Sequence, residues 1–259
     1  MSGDPVRLER DGALAVITLD APPLNLFDKA MIDGLRAAIG DVDREHPRGL
    51  LIRAEGRVVS GGVDVHLFDG LSVEQGAQLW TDLLGLIHTV EELPFPTVFA
   101  AHALCLTAAF ELSLGCDLLL AAESAQFGLV ETVVGLTPAM GGTQRLAERA
   151  GPARARELVM TGALFDAATL ERWNVVNRVW PDEEFDAKAR RFAERLANGP
   201  TLAHAATKRI VRAQLEGGAR AADAIVPEAA GSLFGTEDLK HAVRSFLEQG
   251  PGKATYQGR

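Results

Sequence analysis

Residues 125–143 of this chain read Ala125-Gln126-Phe127-Gly128-Leu129-Val130-Glu131-Thr132-Val133-Val134, then Gly135-Leu136-Thr137-Pro138-Ala139-Met140-Gly141-Gly142-Thr143. Glu131 in this stretch lies twenty positions after Glu111, which interrupts the largely apolar run Leu104–Leu112. Glutamate is rarely buried alone, because stripping water from a carboxylate costs several kcal/mol. Two carboxylates in one apolar cleft push their pKa values apart, and they can then supply one acid and one base near neutral pH.

The two glutamates also have an ordinary structural interpretation. Each could lie at a helix end or in a buried ion pair, and for a single such residue this is at least as frequent as a catalytic role. Other segments of the chain therefore have to decide between a structural and a catalytic pair.

The composition is that of an ordinary globular protein. The chain has 259 residues, of which 47% are hydrophobic and 24% charged, which suits one large domain or a domain with a small appendage. A formal net charge of −9 argues against nucleic acid or an anionic membrane as partner, because their phosphates would be repelled. The two cysteines, Cys105 and Cys116, lie in apolar surroundings and are interpreted as buried hydrophobes, not as a disulfide or zinc site.

Neither export nor membrane insertion is predicted. The stretch Met1–Arg10 alternates in charge and lacks the apolar run of a signal peptide. The most apolar stretch, Pro94–Ala122, is interrupted by His102, Glu111 and Asp117, so none of its uncharged pieces is long enough to span a membrane. We therefore expect a cytoplasmic protein with reduced thiols.

Hydrophobic periodicity predicts an α/β body followed by helices. Asp11-Gly12 between two alternating runs is a hairpin signal, and the alternation of strands with helices implies parallel pairing. The expected strands are Val6–Arg10, Ala13–Leu19, Gly49–Ala54, Thr97–Ala101, Asp117–Ala122 and Val175–Val179. The first expected helix is Lys29–Asp43, after the cap Asp28, and further helices begin at Ser72, near Thr107, at Gly151-Pro152 and at Asp166. The last expected helices are Asp182–Asn198, Thr201–Leu215, Ala219–Ser232 and Thr236–Gln249. The tail Gly250–Arg259 is Gly-rich and expected to be loosely held.

Three segments together resemble the enoyl-CoA hydratase/isomerase (crotonase) superfamily over nearly the whole chain. They are Val59–Val65, Ala100–Glu111 and the stretch from Ala125 to Leu146 with its Gly135-x-x-Pro138-x-x-Gly141-Gly142-Thr143 pattern. The resemblance implies a crotonase-like α/β fold, with a ββα spiral core over residues 1–199 that binds acyl-CoA and carries the catalytic site. It implies a C-terminal helical trimerisation domain over residues 200–259, and a homotrimer or dimer of trimers.

The resemblance also implies a reaction, the syn addition of water to a 2-trans-enoyl-CoA to give a 3-hydroxyacyl-CoA. The thioester oxygen would lie in an oxyanion hole between the backbone N–H groups of Val63 and Ala108. Glu111 would act as base toward the water that attacks Cβ, and Glu131 would deliver a proton to Cα. No metal or other cofactor is expected besides the coenzyme A thioester as substrate, and no Gly-rich fingerprint predicts a nucleotide site.

Positions that would contact CoA or substrate follow from the same resemblance. They are Leu24, Gly61, Gly62, Asp64, Val65, Phe234 and Lys253. The chain departs from the family pattern at His102-Ala103 and Thr107-Ala108-Ala109, where the family usually has Asn-Gly and three glycines, and at Val63, which replaces a smaller alanine. These departures predict a tighter oxyanion hole and a small or unusually shaped acyl group.

Several alternatives remain open at this point. Family isomerases commonly keep only the second carboxylate, so the presence of both favours hydration over an enoyl-CoA isomerase. A weakly catalytic acyl-CoA-binding protein is the other alternative, motivated by Thr107-Ala108-Ala109. Among single residues, Lys253 could be a solvated surface lysine, Phe234 could pack in the core, and His102 is expected to be a satisfied core histidine. Asp64 and Asp117 are expected to be structural.

Overall fold

The chain begins with the expected hairpin. The first two strands pair antiparallel, with Asp11 opposite Leu14 and Gly12 at a φ of 59°, a conformation that glycine adopts without strain. The structure is a computed structural model and describes residues 4–259. Met1–Gly3, the start of the stretch for which no signal peptide is predicted, lie outside the described residues.

Strands and helices alternate through the first two thirds of the described chain. In chain order the strands are β1 (Val6–Asp11), β2 (Leu14–Leu19), β3 (Gly49–Ala54), β4 (Thr97–Ala101), β5 (Cys105–Leu106), β6 (Leu118–Ala122), β7 (Gln126–Gly128), β8 (Phe165–Asp166) and β9 (Arg178–Trp180). The α-helices are α1 (Lys29–Glu45), α2 (Val73–Glu92), α3 (Ala108–Gly115), α4 (Gly142–Ala150), α5 (Pro152–Thr161), α6 (Ala167–Arg172), α7 (Asp182–Ala197), α8 (Thr201–Gly231) and α9 (Glu237–Gln249). Short 3₁₀ segments cover Val65–Phe68, Glu131–Val134 and Ser232–Gly235.

The main sheet has the order β1-β2-β3-β4-β6-β9 and is parallel from β2 onward, as the alternation of elements predicts. β2 and β4 are buried along their whole length, because helices cover both faces of a parallel sheet. The expected strand Val175–Val179 is displaced: pairing begins only at Arg178. Val175 and Val176 are buried without belonging to a strand, so their apolar character reflects packing.

A second sheet of three short strands, in the order β5-β7-β8, was not predicted. β5 and β8 have two residues each and β7 has three, too few for an alternating pattern to be recognised. Parallel pairing places Cys105 beside Phe127, and an isolated bridge places Ser60 beside Cys105. This small sheet therefore joins the three segments on which the family resemblance rests.

The helix starts follow the expected capping chemistry. The Asp28 carboxylate accepts a 2.8 Å hydrogen bond from the N–H of Met31, and Ser72 forms a capping box with Gln75. These contacts confirm the predicted starts of α1 and α2. No helix in the described part of the chain has an apolar stretch long enough to cross a bilayer.

The C-terminal helices pack on the α/β body. α8 is interrupted at Gly218, whose φ of 74° and ψ of −177° are not helical, so the two helices predicted for this stretch are confirmed as two halves of one kinked element. Lys208 on α8 donates to the carbonyl of Phe95 at 3.2 Å and pairs with Asp117 at 2.9 Å. The division into domains at residues 199 and 200 stays a prediction.

The expectation of a loosely held C-terminal tail is wrong. The buried carboxylate of Asp238 accepts hydrogen bonds from the N–H groups of Gln257 at 2.7 Å and Gly258 at 2.8 Å. Arg48 donates to the carbonyl of Tyr256 at 2.6 Å. The composition of the tail could not predict these contacts, because the side chains that hold it, Asp238 and Arg48, lie outside the tail.

Asp238→Ala should lower the free energy of unfolding by about 2 kcal/mol, because two hydrogen bonds to a buried carboxylate are lost. Urea unfolding measures the loss, and limited proteolysis should show faster cleavage within residues 250–259. Asp223→Ala, an exposed position on α8, is the matched control and should stay within about 0.5 kcal/mol of the wild type. Equal stability of the two variants would contradict the anchoring role of Asp238.

Candidate active site

The three segments meet at the start of α3. The N–H of Leu106 donates to the carbonyl of Ser60 at 3.2 Å, and the N–H of Thr107 donates to the carbonyl of Gly128 at 2.9 Å. Residues 60–63, 105–108 and 127–131 are therefore neighbours, although more than sixty positions of sequence separate the first from the last. The short second sheet thus brings Val63, Ala108 and both glutamates into one region.

Glu111 lies on the buried face of α3 and is 3% exposed. Its Oε2 accepts hydrogen bonds from the N–H of Gly142 at 2.7 Å and from the N–H of Met140 at 2.9 Å. A Cβ on Gly142 would lie 2.6 Å from Cγ of Glu111, so only glycine lets this turn approach the carboxylate. This contact explains Gly142 of the sequence motif, and the φ of 100° at Gly141 is a conformation that glycine adopts with little strain.

A buried arginine holds the turn that orients Glu111. Arg145 donates to the carbonyl of Gly141 at 3.1 Å and forms a two-pronged ion pair with Glu91, with N–O distances of 2.6 and 2.5 Å. Sequence reasoning did not single out either residue. Arg145 directly follows the Gly-Gly-Thr-Gln motif and could have been suspected, whereas Glu91 lies 54 positions earlier and carries no motif.

The carboxyl group of Glu131 has no hydrogen-bond partner in the described part of the chain. Both carboxyl oxygens are buried, and neither contacts a donor within residues 4–259. In the same part of the chain, neither Glu131 nor Glu111 forms an ion pair. The ion-pair half of the structural interpretation is therefore wrong here, whereas its helix-end half is confirmed: Glu111 lies in the first turn of α3 and Glu131 in the first turn of the 3₁₀ segment Glu131–Val134.

Burial raises the pKa of both carboxyl groups. The pKa of Glu111 rises to about 8 because of desolvation, opposed by the N–H of Gly142 and increased further by the charge of Glu131. The pKa of Glu131 rises to about 7, chiefly because of desolvation. A difference of about one pKa unit corresponds to about 1.4 kcal/mol, the size of one hydrogen bond. The two groups therefore behave as a coupled pair, in which one proton can reside on either carboxyl near neutral pH.

The hydrogen bonds distinguish the two members of the pair. Glu111 accepts two main-chain N–H donors, which favour its ionised form, whereas Glu131 has none from a neighbour. Arg145 also lowers the pKa of Glu111. These contacts only partly offset the desolvation of Glu111, whose pKa of about 8 stays above the pKa of about 7 at Glu131 because Glu111 is the more deeply buried of the two.

Two main-chain N–H groups in the same region have no acceptor within residues 4–259. The carbonyl of Gly62 accepts from the N–H of Phe27, and the carbonyl of Phe27 accepts from the N–H of Asp64. The N–H of Val63, between Gly62 and Asp64, has no acceptor among the described residues. Ala108 is the first residue of α3, where N–H groups lack an intrahelical acceptor. The positive end of the α3 dipole adds to the attraction of this point for negative charge.

Thr107, between β5 and α3, combines a strained backbone with a buried hydroxyl. Its φ of 46° and ψ of −118° are unfavourable for a β-branched residue, a strain of about 1–3 kcal/mol. The residue is 6% exposed, and its Oγ1 has no hydrogen-bond partner in residues 4–259. Gly62, with a φ of 110°, faces it: a Cβ at Gly62 would lie 2.9 Å from Oγ1 of Thr107.

Five of the predicted substrate-contacting residues lie with Val63 in this region. They are Leu24, Gly61, Gly62, Asp64 and Val65. The N–H of Gly61 donates to the carbonyl of Leu24 at 2.8 Å, and the side chains of Leu24 and Val65 are exposed apolar groups. Asp64 accepts from the N–H of His66 at 3.1 Å and caps the 3₁₀ segment, which agrees with a structural role.

Phe234 and Lys253 lie apart from these residues within one chain. The 3₁₀ segment that carries Phe234 packs against α8 and α9, and Lys253 is exposed in the tail after α9. Phe234 is 76% exposed, so the alternative that it packs in the core of its own chain is wrong. Its predicted role at a neighbouring subunit's ligand stays a prediction.

Two further polar residues have structural contacts. Nε2 of His102 lies 3.0 Å from the carbonyl oxygen of Gly56, so its hydrogen bonding is satisfied, but the ring is half-buried and does not belong to the core. Asp117 accepts from the N–H and hydroxyl of Thr97, at 2.8 and 2.9 Å, and so joins β4 to the start of β6. Cys105 and Cys116 are free, buried thiols, as predicted.

Two surface cavities lie away from the glutamates. The larger, about 780 Å³, is bounded by α2, α4 and α8, with Arg145, Lys208 and Glu91 among its walls. The smaller, about 320 Å³, lies against α9 and the tail. Neither is lined by Glu111 or Glu131, so what marks the site is its set of buried, unpartnered polar groups.

Known proteins are similar to this chain over nearly its whole length. A family model described as enoyl-CoA hydratase/isomerase matches residues 9–258. A Rhizobium meliloti protein named "Probable enoyl-CoA hydratase" is 31% identical over 253 residues, which cover 95% of this chain and 96% of that protein. A short-chain-enoyl-CoA hydratase of Clostridium acetobutylicum is 28% identical over 249 residues, with coverages of 94% and 95%. The crystal structure of subunit I of an enoyl-CoA hydratase from Geobacillus kaustophilus superposes with a TM-score of 0.91 at 30% identity, covering 98% of each chain.

The raised pKa of Glu131 predicts a stability that falls with rising pH. The folded carboxyl, with a pKa of about 7, binds more protons than the unfolded one, whose pKa is about 4.5, so the free energy of unfolding decreases between these pH values. Glu131→Gln removes this loss. The variant should be about 1–2 kcal/mol more stable than the wild type at pH 8 and nearly equal to it at pH 4.5, as measured by urea unfolding.

Glu123→Gln is the matched control, because Glu123 is an exposed glutamate eight positions earlier. It should leave stability unchanged at both pH values. If Glu131→Gln gave no gain at pH 8, the carboxyl of Glu131 would not be desolvated as described.

Proposed function

Because the chain belongs to the enoyl-CoA hydratase/isomerase family, we propose that it hydrates a 2-trans-enoyl-CoA by syn addition of water, giving a 3-hydroxyacyl-CoA. The observation that carries the proposal is the pair of buried carboxyl groups, one held by two main-chain donors and the other without a partner. Such a pair supplies a base and an acid at one place. The names of the relatives from Rhizobium meliloti and Clostridium acetobutylicum support the same reaction.

The contacts suit a direct division of roles. Glu111, in its ionised form, takes a proton from a water molecule while the water oxygen forms a bond to Cβ. The electrons of the Cα=Cβ bond move toward the thioester, and negative charge builds on its oxygen. The N–H groups of Val63 and Ala108 stabilise that charge, an effect worth several kcal/mol in a dry site. Glu131 gives its proton to Cα on the same face, so hydrogen and hydroxyl add syn.

The similar pKa values of the two glutamates suit repeated turnover. After one reaction the proton has moved from Glu131 to Glu111, and the pair must be reset before the next. Because the two pKa values lie within about one unit of each other, this transfer costs no more than about 1.4 kcal/mol. In the direction of dehydration the two residues exchange roles.

The proposed reaction needs no metal or redox cofactor. The glutamates move the protons and the main-chain donors stabilise the oxyanion, so the further components of the proposed reaction are the coenzyme A thioester and a water molecule. Val63 and Ala108 carry side chains beside the thioester oxygen, which favours a small acyl group. The short-chain name of the Clostridium acetobutylicum relative supports this part of the proposal.

Glu111→Gln should lower kcat for hydration of crotonyl-CoA by about 10²- to 10⁴-fold, because glutamine cannot take the proton from water. Glu131→Gln should lower it by a similar factor, because glutamine cannot deliver a proton to Cα. Both are measured by the loss of ultraviolet absorbance of the conjugated enoyl thioester. Glu123→Gln is again the control and should keep wild-type kcat.

Two results would point to the other activities considered for this chain. Undiminished hydration by Glu111→Gln would refute the role of Glu111 in activating water, and migration of the double bond in that variant would favour an isomerase. Tight binding of acyl-CoA in calorimetry without turnover of any enoyl-CoA by the wild type would favour an acyl-CoA-binding protein.

A homotrimer or a dimer of trimers in the cytoplasm is part of the same proposal. Large apolar side chains are exposed on the C-terminal helices of the single chain. They are Val211, Leu215, Phe234, Val243, Phe246 and Leu247. Apolar groups concentrated in this way favour burial against another copy of the chain. In that assembly Phe234 and Lys253 would be available to a neighbouring subunit's ligand.

The assembly should have three or six times the 27.6 kDa mass of one chain, as measured by sedimentation. Leu247→Lys should shift the mass toward a single chain, because it places a charge in the apolar contact. Met160→Lys is the matched control: Met160 is 71% exposed in the last turn of α5, as Leu247 is 78% exposed in the last turn of α9. A wild type with the mass of one chain would contradict the proposed assembly.

A further inference from the structure

The hydroxyl of Thr107 is a buried polar group that the mechanism above does not use. Six buried side-chain polar atoms lack a partner in the part of the chain that the structure describes, and three of them belong to Thr107 and Glu131. Buried polar atoms are nearly always hydrogen-bonded, so each exception requires an explanation. The carboxyl oxygens of Glu131 have one in its proposed role as acid, whereas Oγ1 of Thr107 has none.

Helix capping does not explain the hydroxyl. Thr107 directly precedes α3, where a threonine usually accepts a hydrogen bond from the second or third helical N–H. Its φ of 46° and ψ of −118° differ from the extended conformation of such caps, and its side chain makes no capping hydrogen bond. Glycine would adopt this conformation with less strain. A strained backbone and an unpartnered hydroxyl therefore coincide at one residue.

The hydroxyl faces the segment that carries one main-chain donor and belongs to the residue that directly precedes the other. Gly62, whose Cβ position is 2.9 Å from Oγ1 of Thr107, directly precedes Val63. Ala108 directly follows Thr107 and begins α3. An oxygen atom that accepts from the N–H groups of both Val63 and Ala108 would therefore lie in the neighbourhood of Thr107. Neither glutamate competes for it, because Glu111 accepts from Met140 and Gly142 and Glu131 has no partner.

We propose that the Thr107 hydroxyl is a third hydrogen-bond donor to the thioester oxygen, an inference that rests on the proposed function. The carbonyl oxygen of the bound thioester has two lone pairs, which the two main-chain donors occupy. During the attack of water this oxygen gains enolate character and can accept a third hydrogen bond. The hydroxyl then interacts more strongly with the transition state than with the substrate, so it contributes to kcat and little to KM.

The test compares three substitutions in the full-length protein with crotonyl-CoA as substrate. Thr107→Val keeps the shape of the side chain and removes the hydroxyl, and it should lower kcat about 10- to 100-fold while KM stays within about 3-fold. Thr107→Ser keeps the hydroxyl and should recover most of the loss. Thr107→Gly removes the hydroxyl and relieves the strained backbone, so it should fold and show the same loss of kcat as Thr107→Val.

Thr81→Val, an exposed position on α2, controls for the exchange of a hydroxyl for a methyl group and should keep wild-type kcat. If Thr107→Val does not fold, Thr107→Gly decides the matter alone. Wild-type kcat in whichever of these two variants folds would overturn the role of the hydroxyl and leave the proposed hydratase intact. A wild type that hydrates no enoyl thioester would overturn both proposals.

Discussion

The carboxylate of Glu111, buried under two main-chain N–H donors, is the contact on which the rest of the site depends. A buried carboxylate has to be hydrogen-bonded or protonated, because the free energy of its desolvation is large. Here the donors come from the turn before α4, which the ion pair of Arg145 with Glu91 holds in place. One acidic side chain thus joins α3, the turn before α4 and, through Glu91, the end of α2.

The small second sheet supplies the other half of the geometry. Its strands have two or three residues and contribute little hydrophobic burial compared with the six-stranded sheet. Their effect is to fix register: the pairing of Cys105 with Phe127 places Glu131 beside α3, and the bridge from Ser60 to Cys105 places Val63 there. The large sheet therefore provides stability, whereas the small sheet determines which residues meet.

The start of α3 collects features that are unfavourable for stability and useful for chemistry. A helix dipole, a strained threonine and, among residues 4–259, two N–H groups without acceptors and a carboxyl group without a partner come together where the three segments meet. Unsatisfied and strained groups persist only where the surrounding structure holds them, and they concentrate at functional sites. Helices α2 and α4 and strands β5 and β6, which pack against α3, provide that support.

The sequence by itself determined the features that depend on local patterns. Apolar patterns located the hairpin and the strands of the main sheet other than β9, capping residues located the starts of α1 and α2, and the motif around Glu131 indicated the family. Local patterns failed where the deciding contact is distant. The strands of the second sheet are too short to show a period. The Gly-rich tail is held by Asp238 and Arg48, which lie outside it. Val175 and Val176 are buried in the core without belonging to a strand.

Only the tertiary structure decided the state of the glutamates. A sequence shows two acidic residues twenty positions apart, but not which donors reach each of them. Whether a carboxyl is paired, desolvated or bonded to the main chain depends on atoms that folding brings from Met140, Gly142 and Arg145. The same holds for Thr107, whose strain and free hydroxyl are visible only once β5 and α3 have been placed. Residue type is a property of the chain, whereas protonation and hydrogen bonding are properties of the surroundings that folding creates.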